Sequence, residues 1–252
     1  MNGFYLWAYS LFPTYLKRRI NPLEYSIRSF VLSARPSSTR AKVLDAGAGE
    51  ARFKTYFRDH LYVALDSGVG EKDWDYSQVD IQADLSRIPA ASDSMDIVLN
   101  IQVLEHVSEP FKVLSELNRV LKPGGNLFLT APQGWHEHQQ PHDYFRFTRF
   151  SLAHILRGAG FESLEIQPIG GYFHYLGHRL TYIPKVLFSE RSRWGRWLLF
   201  PLELASLGLF CLILPVCCYY LDFLDAKKEF TLCYQCRARK AVVSNSCSPH
   251  IQ

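Results

Sequence analysis

Two sets of residues in this 252-residue chain are equipped to do chemistry. The first is acidic and follows apolar runs: Asp45 after Val43-Leu44, Asp66 after Leu61 to Leu65, and Asp84 after Ile81. Carboxylates accept hydrogen bonds from hydroxyls and amines, and the carboxyl ends of strands are where open α/β sheets bind ligands. The second set is basic or phenolic: His106, and the cluster His136, His138, His142, Asp143 and Tyr144. Such groups take a proton from a reacting hydroxyl. For His106 the alternative is a hydrogen bond that fixes its loop. The His-x-His spacing with His142-Asp143 also resembles a divalent-metal set; the expectation adopted is that no metal is held.

Around the first acid lies AKVLDAGAGEARF, residues 41–53. Apolar β-formers, an acid, Gly47 and Gly49, and then a chain able to turn helical predict a strand, a tight turn and a helix start near Glu50. Glycine lets a ligand lie against bare main chain, and a helix start directs free N–H groups at it. This is not the dinucleotide fingerprint, because Arg52 stands where the third glycine of G-x-G-x-x-G belongs.

The elements that must position these groups alternate. Strands are expected at 41–46, 61–65, 81–84, 95–100, 126–131 and 161–168, with helices at 22–33, 110–121 and 149–159 and a turn at Lys122-Pro123-Gly124-Gly125. Such alternation predicts a doubly wound, mostly parallel sheet covered on both faces.

Composition narrows the class. A net charge of +4 without a basic run or nucleic-acid motif argues against nucleic acid as a partner. Six cysteines form neither a disulfide framework nor a zinc pattern, since Cys233 and Cys236 are a single C-x-x-C, so free thiols in a reducing, cytoplasmic setting are expected. At the amino end Phe4, Tyr5, Trp7, Tyr9, Phe12 and Tyr15 precede Lys17-Arg18-Arg19. That order is the reverse of a secretory signal and reads as an interfacial segment or a helix packed on the domain.

The segments LDAGAGEARF, ALDSG, ADLSRIP, DIVLNIQVLEHVSEP, LNRVLKPGGNLFLTAP and HDYFRFT, covering about residues 41–170, occur in an order and spacing that resemble class I S-adenosylmethionine-dependent methyltransferases, in particular the methyltransferase type 11, ubiquinone/menaquinone-type branch. The resemblance implies a Rossmann-like, seven-stranded sheet whose last strand, within EFTLCYQCRARK (229–240), is antiparallel. It implies S-adenosyl-L-methionine as cofactor. By position, Asp45, Ala46, Gly47 and Gly49 would hold its methionine end, Asp66 the ribose hydroxyls, Asp84 and Leu85 the adenine, and Asn100, Ile101 and Gln102 would line the sulfonium. His106, His142 and Tyr144 become the candidate catalytic residues, with Arg146 and Thr148 as pocket or loop anchors.

The compact fold has no need of residues 172–228. Within them 204–221 carries no charge, flanked by Arg191, Arg193 and Arg196 on one side and Lys227 and Lys228 on the other. Glu203 and Pro215 interrupt the run and a single crossing would separate strand seven from its sheet, so a hydrophobic helical hairpin dipping into one leaflet is expected, with a lid or an oligomer interface as alternatives. The expected organisation is interfacial helices at 1–40, the methyltransferase core at 41–171, the insertion at 172–228, the final strand at 229–240 and a disordered tail at 241–252. The expected activity is O- or C-methylation of a lipid-linked, quinone-like or saccharide acceptor at the cytoplasmic face of a membrane. The alternatives are a non-catalytic scaffold with this fold, or a nicotinamide-dependent oxidoreductase.

Overall fold

The computed structural model describes residues 11–71, 73–188 and 193–242. The chain folds as two compact units. One comprises Phe30–Pro132, His136–Gln167 and the chain from Gln235; the other comprises the chain up to Ser29, Gln133–Trp135 and Pro168–Tyr234.

A seven-stranded sheet is formed by β1 (Lys42–Ala46), β2 (Leu61–Asp66), β3 (Ile81–Gln82), β4 (Met95–Ile101), β5 (Leu121–Pro132), β6 (Phe161–Ile169) and β7 (Cys233–Lys240), in the order β3-β2-β1-β4-β5-β7-β6. It is mostly parallel, with antiparallel pairing at the last strands. The central strands read as near-continuous apolar runs because both faces are covered: after Lys42 every residue of β1 is buried, as is every residue of β4 except Asp96. Leu44, Leu65, Leu99 and Leu129 are fully buried. Truncating any one to alanine would cost about 2–5 kcal/mol.

Helix α1 spans Thr14–Ile20 and α2 spans Pro22–Ser33. Helix α3 (Pro110–Val120) begins with proline in its first turn, where no N–H is needed, and buries Val113, Leu114, Leu117 and Val120 along one stripe. Helix α4 (Arg149–Gly158) is closed at its start by a capping box between Thr148 and Ser151.

Local departures from the sequence expectation have physical causes. No α-helix follows β1: the chain from Gly49 runs through turns into a 3-10 segment at Lys54–Phe57. The amides that a helix would have left free are used, with Gly47 and Ala48 N–H donating to the Leu65 carbonyl and Gly49 N–H to the Asp66 carboxylate. Lys122 to Gly125 is a bulge inside β5, since Met95 pairs with Leu121 and Ile97 with Asn126; Gly124 takes φ +78° there. Strand β3 is two residues long, and β7 begins at Cys233 instead of Glu229.

Between β6 and β7 lie α5 (Tyr172–Leu180), α6 (Ile183–Phe188), α7 (Arg193–Leu207), a π-helical stretch at Gly208–Ile213, and α8 (Leu214–Leu221), followed by a 3-10 turn at Asp222–Leu224. Leu199–Leu224 is one helical path of 26 residues, so Pro215 does not divide it. The π turns just before Pro215 widen the helix where the proline ring would meet the preceding carbonyl. It is a helix long and apolar enough to cross a membrane by length and composition. Phe4, Tyr5, Trp7 and Tyr9, the Arg191 flank and the tail from 243 lie outside the described residues.

Candidate functional site

The site is built where the direction of strand succession reverses. β1 pairs with β2 on one side and β4 on the other, and the loops leaving their carboxyl ends part there. A cavity of about 700 Å³ fills the gap, within the size range of small-molecule sites. Its wall contains Gly47 and Gly49 after β1, Asp66 at the end of β2, Asp84 and Leu85 after β3, and Ile101 and Gln102 at the end of β4. His106 from the following 3-10 turn, with His142 and Tyr144 from the loop after β5, lines the same cavity.

The glycine turn is required twice over. Gly47 adopts φ +85°, and a Cβ added there would run into the Val103 side chain, itself part of the wall. Gly49 adopts φ +54°, with Trp74 closing on it from the cavity side. Asp66 accepts from Gly49 N–H and Gly68 N–H, both at 2.8 Å, which fixes the carboxylate and leaves it further acceptor positions. Asp84 is exposed, with one oxygen accepting from Ser86 N–H at 2.7 Å, while Leu85 is buried beside it.

Asp45, Ala46 and Asn100 are not on the wall. Asp45 is buried behind it and accepts from the Tyr62 hydroxyl. Burial pushes its carboxyl up to about 6, against the lowering effect of that hydrogen bond. The Asn100 amide donates to the Ala46 carbonyl at 2.9 Å and ties β4 to the strand end before the glycine turn. Asp45 and Asn100 thus support the cavity from behind. Gln102 has φ +57°, and its main-chain and side-chain amides both reach the Thr130 hydroxyl.

The histidines divide in role. His106 Nδ1 lies 2.6 Å from the His142 carbonyl; a carbonyl only accepts, so Nδ1 carries the proton and Nε2 is left as a bare acceptor. That Nε2 is buried without a hydrogen-bond partner, and burial lowers the group's pKa, keeping it neutral near pH 7. Beside it Glu105 is fully buried with both carboxylate oxygens unpartnered, and desolvation pushes its pKa up to about 8. The His138 ring meets that of His106 edge-on at 4.6 Å. Side-chain ligand atoms of Glu105, His106 and His138 lie within 4.8 Å of one another, a set that could hold a divalent ion. The spacing of His136, His138, His142 and Asp143 pointed to a different set. Asp143 is engaged by Arg146 through two bonds of 2.7 and 2.8 Å, which hold its carboxyl well below the usual range.

Arg146 also donates to the His136 carbonyl, so it anchors the loop instead of facing ligand. Thr148 caps α4. His142 Nδ1 contacts the Tyr144 hydroxyl at 3.2 Å, and Tyr144 is nearly half exposed. Glu105, Trp74 and Val103 had no role assigned from the sequence. The position of Glu105 next to His106 was the available signal for the first; for the other two only tertiary placement reveals it.

A family model for the methyltransferase domain matches residues 44–129. A probable S-adenosylmethionine-dependent methyltransferase of Mycolicibacterium smegmatis is 31% identical over 54% of this chain and 56% of its own length. The ubiquinone biosynthesis O-methyltransferase of Burkholderia thailandensis is 34% identical over 47% of this chain and 55% of its own. The chain thus spans about half the length of the curated relatives it matches. Among solved structures, a methyltransferase from Archaeoglobus fulgidus superposes with TM-score 0.54 at 12% identity, covering 95% of this chain and 100% of that one. The [4+2]-cyclase SpnF superposes with TM-score 0.55 at 20% identity, covering 86% and 81%; at such identity the likeness shows the fold alone. Sheet order and superposition agree: the chain has the class I fold of these methyltransferases, and its residues 44–129 match the methyltransferase-domain model.

Proposed function

We propose that the protein is an S-adenosylmethionine-dependent methyltransferase that methylates an oxygen or carbon of a lipid-linked, quinone-like or saccharide acceptor at the cytoplasmic face of a membrane. The observation that carries this reading is the single cavity joining the Gly47–Gly49 turn, Asp66, Leu85 and Gln102 to His106, His142 and Tyr144. The wall fits the cofactor in kind: bare main chain where a Cβ would not fit, a buried carboxylate acceptor for hydroxyls, and an apolar side chain for a ring. S-adenosylmethionine, when bound, supplies an electrophilic methyl group. Asp66 would accept from the ribose hydroxyls, Asp84 and Leu85 would hold the adenine, and Ile101 with Gln102 would border the sulfonium.

The remaining residues serve the acceptor. Transfer is an in-line displacement, so the protein chiefly orients the two reactants and keeps water out. His106 would take the proton that a hydroxyl acceptor releases, because it lines the cavity and its Nε2 is unprotonated. His142 and Tyr144 would position the acceptor from the loop held by the Asp143–Arg146 pair. The membrane part of the proposal draws support from the apolar helix Leu199–Leu224.

Incubating the protein with methyl-labelled S-adenosylmethionine and fractionated lipid and glycan extracts tests the proposal. Label in an extractable lipid or glycan is the expected result. Cofactor binding without transfer to any fraction would favour a scaffold, and heat of binding with NAD in place of S-adenosylmethionine would favour an oxidoreductase.

A further inference from the structure

We infer that α5 to α8 form a re-entrant hairpin whose α7–α8 surface seats in one leaflet of an anionic bilayer, the chain entering and leaving the lipid on the same side. This deepens the membrane-surface part of the proposed function and rests on that reading.

The two ends of the hairpin are tied together by a charged clasp. Gly171 N–H donates to both oxygens of Asp222 at 3.0 Å, His174 N–H donates to one of them at 2.9 Å, and Tyr172 N–H donates to Asp225 at 2.7 Å. These are the free amides of the first turn of α5, met by acids just beyond α8. Further along, Gly177 of α5 lies against Cys218 and Pro215 of α8, so the helices run antiparallel with a close crossing. A chain that leaves at Gly171 therefore returns to the same place at Asp222.

The outer surface of the returning arm is wrong for water. Phe200, Leu202, Leu204, Leu209 and Ile213 are each 41–58% exposed. Residues two apart lie on opposite sides of a helix, so these side chains leave the path on more than one side; Glu203 apart, no charge interrupts Leu199 to Leu221, and the most apolar window of Leu199–Leu224 is only 11% buried. A helix apolar all round belongs in a core or in lipid. A second copy of the chain would cover a single face and leave the rest wet.

Polar groups mark the boundary of the immersed region. Arg19 stacks among Tyr15, Tyr219 and Tyr220 and donates to the Tyr220 hydroxyl, an arrangement of cation and amphipathic rings suited to the headgroup level. Arg18, Lys185 and Lys227 are exposed, which supplies attraction to anionic headgroups. Full crossing is disfavoured by the other arm. Tyr172 to Phe188 carries His174, His178, Arg179 and Lys185, and as helix it would reach about 25 Å, less than a hydrocarbon core of roughly 30 Å.

The test uses the full chain, sealed vesicles of phosphatidylcholine with or without phosphatidylglycerol, and a variant carrying Leu202→Glu, Leu209→Glu and Ile213→Glu. All three positions are solvent-facing, so the fold should hold, as calorimetry with S-adenosylhomocysteine verifies. The unaltered chain should co-sediment with phosphatidylglycerol vesicles, bind less to pure phosphatidylcholine, and weaken without release in high salt. The variant should partition at least about tenfold less, because three apolar side chains become charged. Protease sites before Met1 and after Gln252 should both be cut from outside. Unchanged partition of the variant, absence of vesicle binding, a lipid-free dimer that the variant abolishes in place of vesicle binding, or tags on opposite sides of the bilayer would each overturn the inference. Lipid results that fail while S-adenosylhomocysteine still binds defeat the docking alone; failure to bind S-adenosylhomocysteine defeats the proposed function.

Discussion

Glu105 concentrates the electrostatics of the site. A carboxyl whose pKa is raised to about 8 by burial is neutral in the folded state across a range where the unfolded chain ionises. Below about pH 4.5 both states hold the proton and nothing is lost; from there to about pH 8 the unfolded state is increasingly favoured. Stability should therefore fall as pH rises through that window, by an amount on the order of a few kcal/mol. Glu105→Gln should flatten the curve, which thermal melts at pH 5 and pH 8 would read. If Glu105, His106 and His138 hold a divalent ion, adding magnesium or zinc should raise the melting temperature at pH 8 in the unaltered chain and leave Glu105→Gln unmoved. A pH-independent melt in the unaltered chain would mean that Glu105 is ionised and paired. On the acceptor side, His142→Ala or Tyr144→Phe should lower methyl transfer while leaving cofactor affinity nearly intact. Loss of cofactor affinity instead would put these residues at the wrong end of the cavity.

At the scale of elements, the glycine turn and the loop after β5 each have a defined failure. Gly47→Val introduces both a side chain where Val103 stands and a disfavoured positive φ, so it should abolish cofactor binding and lower stability by about 1–3 kcal/mol. A folded variant that binds normally would place the cofactor elsewhere. The strands were legible because apolar runs ending in acids are what a parallel sheet with ligand-binding loops requires, and β1, β2, β4 and β6 lie within a residue of expectation. The helix expected after Gly49 was not: that pattern is compatible with either helix or turns, and the choice is made by Leu65 and Asp66, far along the chain, which take the amides. Similarly Lys122-Pro123-Gly124-Gly125 has the composition of a turn, and only the pairing of its flanks with β4 reveals a bulge. Asp45 and Asn100 looked like wall residues by position, yet side-chain partners across strands draw them behind it. Burial of that kind leaves no mark in local sequence.

In the whole molecule, the cavity lies within the unit of Phe30–Pro132 and His136–Gln167, whereas α7 and α8 belong to the other. Charge changes on the exposed apolar surface of α7 should therefore alter lipid partition and leave S-adenosylhomocysteine affinity unchanged, as parallel sedimentation and calorimetry would establish. A joint loss of both would mean that the two units depend on each other for folding. The central claim, that this cavity is an S-adenosylmethionine site, meets its most direct test in titration calorimetry of the unaltered chain and of Asp66→Ala with S-adenosylmethionine. One site per chain is predicted, weakened by about 1–3 kcal/mol in the variant, because hydroxyls in the bound ligand lose a charged acceptor. No heat of binding to the unaltered chain, or equal affinity in both proteins, would contradict it.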